Sequence, residues 1–248
     1  MRETPSRRTF LAGAGLVGAG LVGAGALMPA SASAHSGGRG GKPDTEHPRF
    51  TLAVIPDTQY LFDTDRGDSA PLTATLRWIQ EHQADENIVF TAHLGDIVEN
   101  ALASELGAAG KVFEIFDQRR TPYSVLAGNH DINASTTDQR GPSPYLDVFG
   151  PKRFRPLATY RGSTPDGYNT YHVFRAAGRD WLVFALDWRP SDATLAWAKS
   201  VLKAHPRTPV ILTTHDLAFP GEAGAAEMSD HGRRLWDGLI NESDQPPC

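Results

Sequence analysis

Four short apolar runs, each followed at once by a polar residue fit for chemistry, constrain this chain more than any other feature. Residues 50–55, 88–92, 123–127 and 210–214 are rich in β-branched and aromatic side chains, as buried strands are. After them come, in order, Asp57, Gly95-Asp96, Gly128-Asn129-His130-Asp131 and His215-Asp216. Between the runs apolar residues recur at helical spacing: Leu72, Leu76 and Ile79; then Leu102, Leu106, Ala109, Phe113 and Phe116; then Leu195, Ala198 and Leu202. Residues 181–186 form a further candidate strand, and Asp187 at its end reads as structural. Strand alternating with helix predicts an α/β domain with largely parallel strands. Ligands in such sheets bind beyond the carboxyl ends of the strands, so the four polar clusters are expected to converge on one rim.

A chain of 248 residues, 40% of them hydrophobic, is long enough for one catalytic-size domain. Its formal charge of -5 and the lack of any Lys/Arg run argue against a nucleic-acid-binding module. The single cysteine, Cys248, permits no intrachain disulfide. Ser6-Arg7-Arg8-Thr9-Phe10-Leu11, a Gly/Ala/Leu/Val stretch and the small-residue site Ala32-Ser33-Ala34 resemble a twin-arginine export signal. The alternative is a membrane anchor, against which stand the many weakly apolar Gly and Ala residues and the cleavage site. The expected organisation is a signal peptide at 1–34, a flexible leader at 35–48 and one domain from 49 to 248. Such a chain engages the twin-arginine export machinery, is secreted or extracytoplasmic, and keeps no stable membrane anchor after cleavage. Gly13-Ala14-Gly15-Leu16-Val17-Gly18 matches a dinucleotide fingerprint in letters alone, since no strand precedes it.

Pro56-Asp57-Thr58-Gln59, His93-Leu94-Gly95-Asp96, Gly128-Asn129-His130-Asp131 and Thr213-Thr214-His215-Asp216 resemble, in order and context, the calcineurin-like metallophosphoesterases. The resemblance covers roughly residues 50–240. It implies a four-layer αββα sandwich of two mixed sheets flanked by helices, and an exported hydrolase of phosphoester substrates, phosphatase or phosphodiesterase. It further implies two divalent or mixed-valence ions among Mn, Fe, Zn, Mg and Ca, with Asp57 at the first, Asp96 bridging, and Asn129 and His215 at the second. The same resemblance implies that a hydroxide held by the ions would attack phosphorus and that His130 would protonate the leaving oxygen. Two cations about 3.5 to 4 Å apart suit an in-line displacement at phosphorus, and two carboxylates leave excess positive charge to attract a phosphate dianion. Gly95 and Gly128 stand where a positive φ or a close backbone approach is needed.

Each residue alone has a plainer reading: Asp57, Asp96 and Asn129 as turn residues, His215 as a core histidine. His93 is either an orienting partner of a ligand or a buried hydrogen-bonded histidine. Asp131 and Asp216 either accept a histidine ring proton or cap turns. Gln59 stands where the family commonly has histidine, and is either a weaker oxygen ligand or outside the coordination sphere. Tyr145 and Tyr168 are candidates to line a substrate pocket from the long connection between Ile132 and Gly167, which reads as a loop. The five tryptophans are expected in core and lid packing. The family's terminal Gly-His-x-His motif is absent, so the domain is expected to be incomplete at its C-terminus, or the chain a degenerate member. The rival functions are a non-catalytic exported binding protein on the same fold and, if the N-terminus stays uncleaved, a surface-attached structural protein.

Overall fold

Parallel strands need long crossovers, and the helical stretches between the first three apolar runs supply them. The computed structural model describes residues 41–132 and 141–241. The expected signal segment, the first residues of the leader and Cys248 lie outside these. β1 (Thr51–Ile55), β2 (Ile88–His93) and β3 (Tyr123–Val125) form a parallel sheet in the order β1-β2-β3, joined by α1 (Ala70–Glu81) and α2 (Ala103–Arg119). At the start of α1 the Asp68 carboxylate accepts the Ala70 N–H at 2.9 Å, and Pro71 has no N–H to leave unpaired. Its buried Leu72, Leu76 and Ile79 pack with Leu106, Ala109, Phe113 and Phe116 of α2 against one face of the sheet. Leu102, expected on that face, precedes α2 and is half-exposed. Arg120, at φ 54°, ends α2 in a left-handed turn.

A second sheet runs β4 (Tyr160–Ser163), β5 (Thr170–Ala176), β6 (Arg179–Ala185), β7 (Val210–Thr213). The β4–β5 and β5–β6 pairs are antiparallel, and β6–β7 is parallel through the crossover helix α6 (Asp192–Ala204). Ala177 and Gly178, both at positive φ, make the tight turn between β5 and β6. Val89 and Phe90 of the first sheet meet Phe174, Ala176, Trp181 and Val183 of the second, so the sheets lie face to face. Leu182, Phe184 and Leu186 pack outward on Leu195, Ala198 and Leu202 of α6 and on Leu235 and Leu239. The layers are thus helix, sheet, sheet, helix, the fold the family resemblance implies. The mixed sheet is the second; the described strands of the first are all parallel. A hairpin of β8 (Ala218–Pro220) and β9 (Ala226–Met228) precedes α7 (Asp230–Leu235), which continues as a π-helical turn over Trp236–Ile240.

The connection after Ile132 is not a simple loop. It carries α4 (Pro144–Phe149), α5 (Pro151–Phe154) and β4, while residues 133–140 lie outside the described ones. Tyr145 and Tyr168, expected to line a substrate pocket, are both buried, stacked with ring centroids 5.8 Å apart. Their hydroxyls are used internally, Tyr145 donating to Val125 O at 3.3 Å and Tyr168 to Ser143 Oγ at 2.7 Å. Trp181 and Trp188 are buried as expected, whereas Trp78 and Trp236 are largely exposed.

His172 on β5 sits wholly between the sheets, its ring edge-on to Phe90, Phe154 and Tyr160. Burial pushes it down to about 3, with the charge of Arg161 adding to the effect. The unfolded chain therefore binds a proton that the fold rejects, so stability is complete above pH 6.5 and falls as pH drops from there toward 3. H172F should flatten the stability-versus-pH slope in that window by up to about 1.4 kcal/mol per pH unit. Urea midpoints of both proteins at pH 7, 5 and 4 check this; parallel slopes would refute it. His93, also pushed down to about 3 by burial, leaves the variant some acid sensitivity.

Candidate active site

Two parallel strand ends approach closely only if their loops carry little bulk, and Gly95 and Gly128 meet that demand. After β2 the chain turns through Gly95 at φ 89° and Asp96 at φ 49°, a left-handed conformation uncommon for a residue with a side chain. A Cβ on Gly95 would come within 2.7 Å of Gly128 N, and one on Gly128 within 2.1 Å of Asp96 Oδ1. The close approach predicted for Gly128 is thus to the Asp96 carboxylate itself. That carboxylate accepts the His130 N–H on Oδ1 at 3.0 Å and stands 3.2 Å from His215 Nε2 on Oδ2. Residues from the ends of β2, β3 and β7 are brought together there.

Asp131 holds the arrangement from below. Fully buried, its Oδ1 accepts the N–H groups of Ile97 (2.7 Å) and Val98 (3.0 Å), and its Oδ2 that of Gly128 (2.9 Å). It pairs with no histidine ring; it ties the β2 turn to the β3 turn. Burial pushes its carboxyl up to about 7, opposed by the Gly128 N–H and reinforced by the charge of Asp96. His93 is the buried, hydrogen-bonded kind: Nε2 is 3.0 Å from Thr58 Oγ1, and Nδ1 accepts the Gly95 N–H at 3.2 Å. The Thr58 hydroxyl passes the chain on to Ile97 O at 3.2 Å, so His93 joins the β1 end to the β2 turn.

Asp57, exposed at the rim, accepts the Gln59 N–H at 2.9 Å. Burial of its carboxyl raises its pKa; the Gln59 N–H opposes this, and the negative charge of Asp96 adds to it. His215 and His130 act on the same carboxyl in the opposite sense, so all four groups share one electrostatic neighbourhood. Burial alone would lower His215, yet the Asp96 hydrogen bond and charge carry it up to about 9, with help from Leu94 O, which takes Nδ1–H at 2.9 Å. Asp96 in turn is held below the usual carboxylate range: burial raises it, but His215 and the His130 N–H lower it further. Asn129 opens α3 (Asn129–Ile132), half-buried between Gly128 and His130. Gln59 is buried in the short 3-10 turn Gln59–Leu61 beside Asp57. Among the described residues no three His, Cys, Asp or Glu side chains already surround one point as an ion requires.

Residues not singled out from the sequence complete the rim. His130 Nδ1 donates to Glu99 O at 2.7 Å and lies 3.6 Å from the Glu99 carboxylate, whose Oε2 is buried without a hydrogen-bond partner. The signal was there, an acid three residues after Asp96 in the same turn. Asp216 Oδ2 is 3.9 Å from Arg189 Nε. Trp188 N–H donates to Ala127 O at 2.9 Å, joining the second sheet to the first next to Gly128.

The family model for calcineurin-like phosphoesterases matches residues 50–236, from the edge of β1 through α7, and takes in every candidate residue above. The chain belongs to the calcineurin-like phosphoesterase family. It is also 31% identical over 170 residues to the uncharacterized protein YvnB of Bacillus subtilis (strain 168). That stretch is 67% of this chain but 13% of YvnB, so the chain spans a small part of this relative's length. The family is one of phosphoester hydrolases.

In this chain the two strand-end glycines are separable from helix glycines by their surroundings. G128A must displace the Asp96 carboxylate and is expected to cost about 1–3 kcal/mol, the usual penalty of overpacking. G107A, on α2 with nothing within 4 Å of the new Cβ, should instead stabilise by about 0.5–1 kcal/mol. Urea unfolding of both variants measures the pair; equal effects would contradict the close approach.

Proposed function

We propose that this chain is an exported, metal-dependent phosphoester hydrolase whose ions are held by Asp57, Asp96, Asn129 and His215 at a dinuclear site. The donor set fits hard or borderline divalent ions: two carboxylates, an amide oxygen and one imidazole. The observation that carries the reading is Asp96, kept at positive φ with its carboxylate set between His130 and His215 while sharing the field of Asp57. A strained acidic residue over-determined by its surroundings is a mark of a functional position. When bound, the ions lower the pKa of water and neutralise charge on the phosphoryl group.

The protein's own groups then have defined tasks. His215 is already oriented by its Nδ1–H to Leu94 O, and as a ligand it would release the Nε2 proton that now faces Asp96. His130 is fixed by its Nδ1–H to Glu99 O, which leaves Nε2 to deliver a proton to the leaving oxygen. The Glu99 carboxylate stands 3.6 Å from that same Nδ1, on the side of the ring away from Nε2. Asp131 and the two glycines keep the Asp96 carboxylate where both histidines reach it.

D96N should reduce hydrolysis of a chromogenic phosphoester with added manganese by more than about 100-fold, since disturbing even an outer partner of a metal ligand costs up to that much. Its circular dichroism should match the wild type. Retained turnover in D96N would overturn the assignment. The alternative, a binding protein with a degenerate site, draws on Gln59, which stands where the family commonly has histidine. A wild-type chain that binds manganese yet turns over no phosphoester would favour it.

Export by the twin-arginine route is supported by Arg7-Arg8 and by Ala32-Ser33-Ala34. Mass spectrometry of the extracytoplasmic protein should find a mature chain starting at His35. An intact N-terminus would support the anchored alternative.

A further inference from the structure

Asp57 and Asp96 both lie past the last paired residues of their strands, so the sheet does not by itself fix the distance between their carboxylates. The β1–β2 pairing ends at Ile55 opposite His93. Asp57 follows two residues later, exposed, its Oδ1 accepting only from the Gln59 N–H of its own turn at 2.9 Å. Asp96 comes three residues after His93, at positive φ. Thr58, buried next to Asp57 in the chain, spans the gap. Its N–H donates to Asp96 O at 3.0 Å, and its hydroxyl belongs to a chain of bonds that reaches the residues on both sides of Asp96.

The direction of that chain follows by elimination. The Gly95 N–H donates to His93 Nδ1 at 3.2 Å, so the ring proton sits on Nε2. Ile97 O can only accept, so the Thr58 hydroxyl donates to it at 3.2 Å. Nε2–H therefore donates to Thr58 Oγ1, at 3.0 Å. The bonds run one way, from Gly95 through His93 and Thr58 to Ile97. The His93 ring is itself held in place, buried edge-on to Phe113 of α2 with 5.8 Å between centroids.

We infer that Thr58 is a positioning residue: through its hydroxyl and His93 it sets the separation of the Asp57 and Asp96 carboxylates, and with it the affinity of the proposed centre for its ions. The inference rests on the hydrolase reading above. Three arguments support it. The group between His93 and Ile97 O must accept and donate at once, which a hydroxyl does; valine, of the same shape, does neither and leaves two buried partners unpaired. Ligands on separate loops serve one centre only when held to within about 0.5 Å. Thr58 directly follows Asp57, so a shift of one moves the other, whereas the Thr58 N–H bond to Asp96 O survives a side-chain substitution.

The test titrates manganese into wild type, T58V and T58S by calorimetry, with urea midpoints and turnover of 4-nitrophenyl phosphate followed alongside. T58V should bind manganese about 10-fold or more weakly, the effect of losing an outer partner of a metal ligand, and T58S should restore most of the affinity. Unchanged manganese affinity in T58V, even with a lower urea midpoint, marks a purely structural residue and overturns the inference. T58S as weak as T58V assigns the effect to the lost shape rather than the hydroxyl, and overturns it as well. Should T58V not fold, T58A takes its place under the same criteria. A wild-type chain that neither binds manganese nor turns over the ester overturns instead the reading on which this one depends.

Discussion

The carboxylate of Asp131 is the fastener from which the rim hangs. It is out of contact with solvent, where an isolated charge is very costly, and three backbone N–H groups from two different turns offset that cost. Those donors are otherwise hard to satisfy, because turns at the ends of parallel strands leave main-chain groups without a ladder partner. One side chain therefore solves two problems, the unpaired amides and the relative position of the turns. With the turns locked, Gly128 presses on Asp96, and Asp96 has little choice but the left-handed conformation that aims its oxygens at His130 and His215.

The second sheet contributes through a different kind of bond. His215 comes from β7, and its ring is set by the carbonyl of Leu94 on the first sheet. Trp188 reaches from β6 to Ala127 beside β3. Apart from His172, the side chains that meet between the sheets are aromatic and aliphatic, with no direction of their own, so these polar links at the strand ends help to define the register of one sheet on the other. The hydrolase reading asks both sheets for donors, and the fold joins them where the donors are.

Much of this was legible in the residue order. Short apolar runs ending in Asp57, Asp96, Asn129-His130 and His215 announced strand ends, because period, length and turn residues agreed. The helical faces of α1 and α6 also stood in the spacing of Leu72, Leu76 and Ile79, and of Leu195, Ala198 and Leu202. β5 was harder to see. Its buried positions include Thr170 and His172, polar residues that do not mark a strand until the sheet facing them is known. Tyr145 and Tyr168 misled for a related reason, since their amphipathic rings suit a pocket wall as well as a core with internal hydrogen-bond partners. The role of Asp131 was not readable either: the three amides it serves are up to 34 positions away along the chain.

The link from Trp188 to Ala127 has a thermal consequence. Asp57, Asp96 and Asn129 follow strands of the first sheet and His215 follows one of the second, so each half of the sandwich carries part of the proposed centre, and the layer between them resists separation better than it resists shear. Warming that loosens the few strand-end bonds would let the halves drift out of alignment while every helix and strand persists, so catalytic competence would fade at temperatures where spectroscopy still reports an intact molecule.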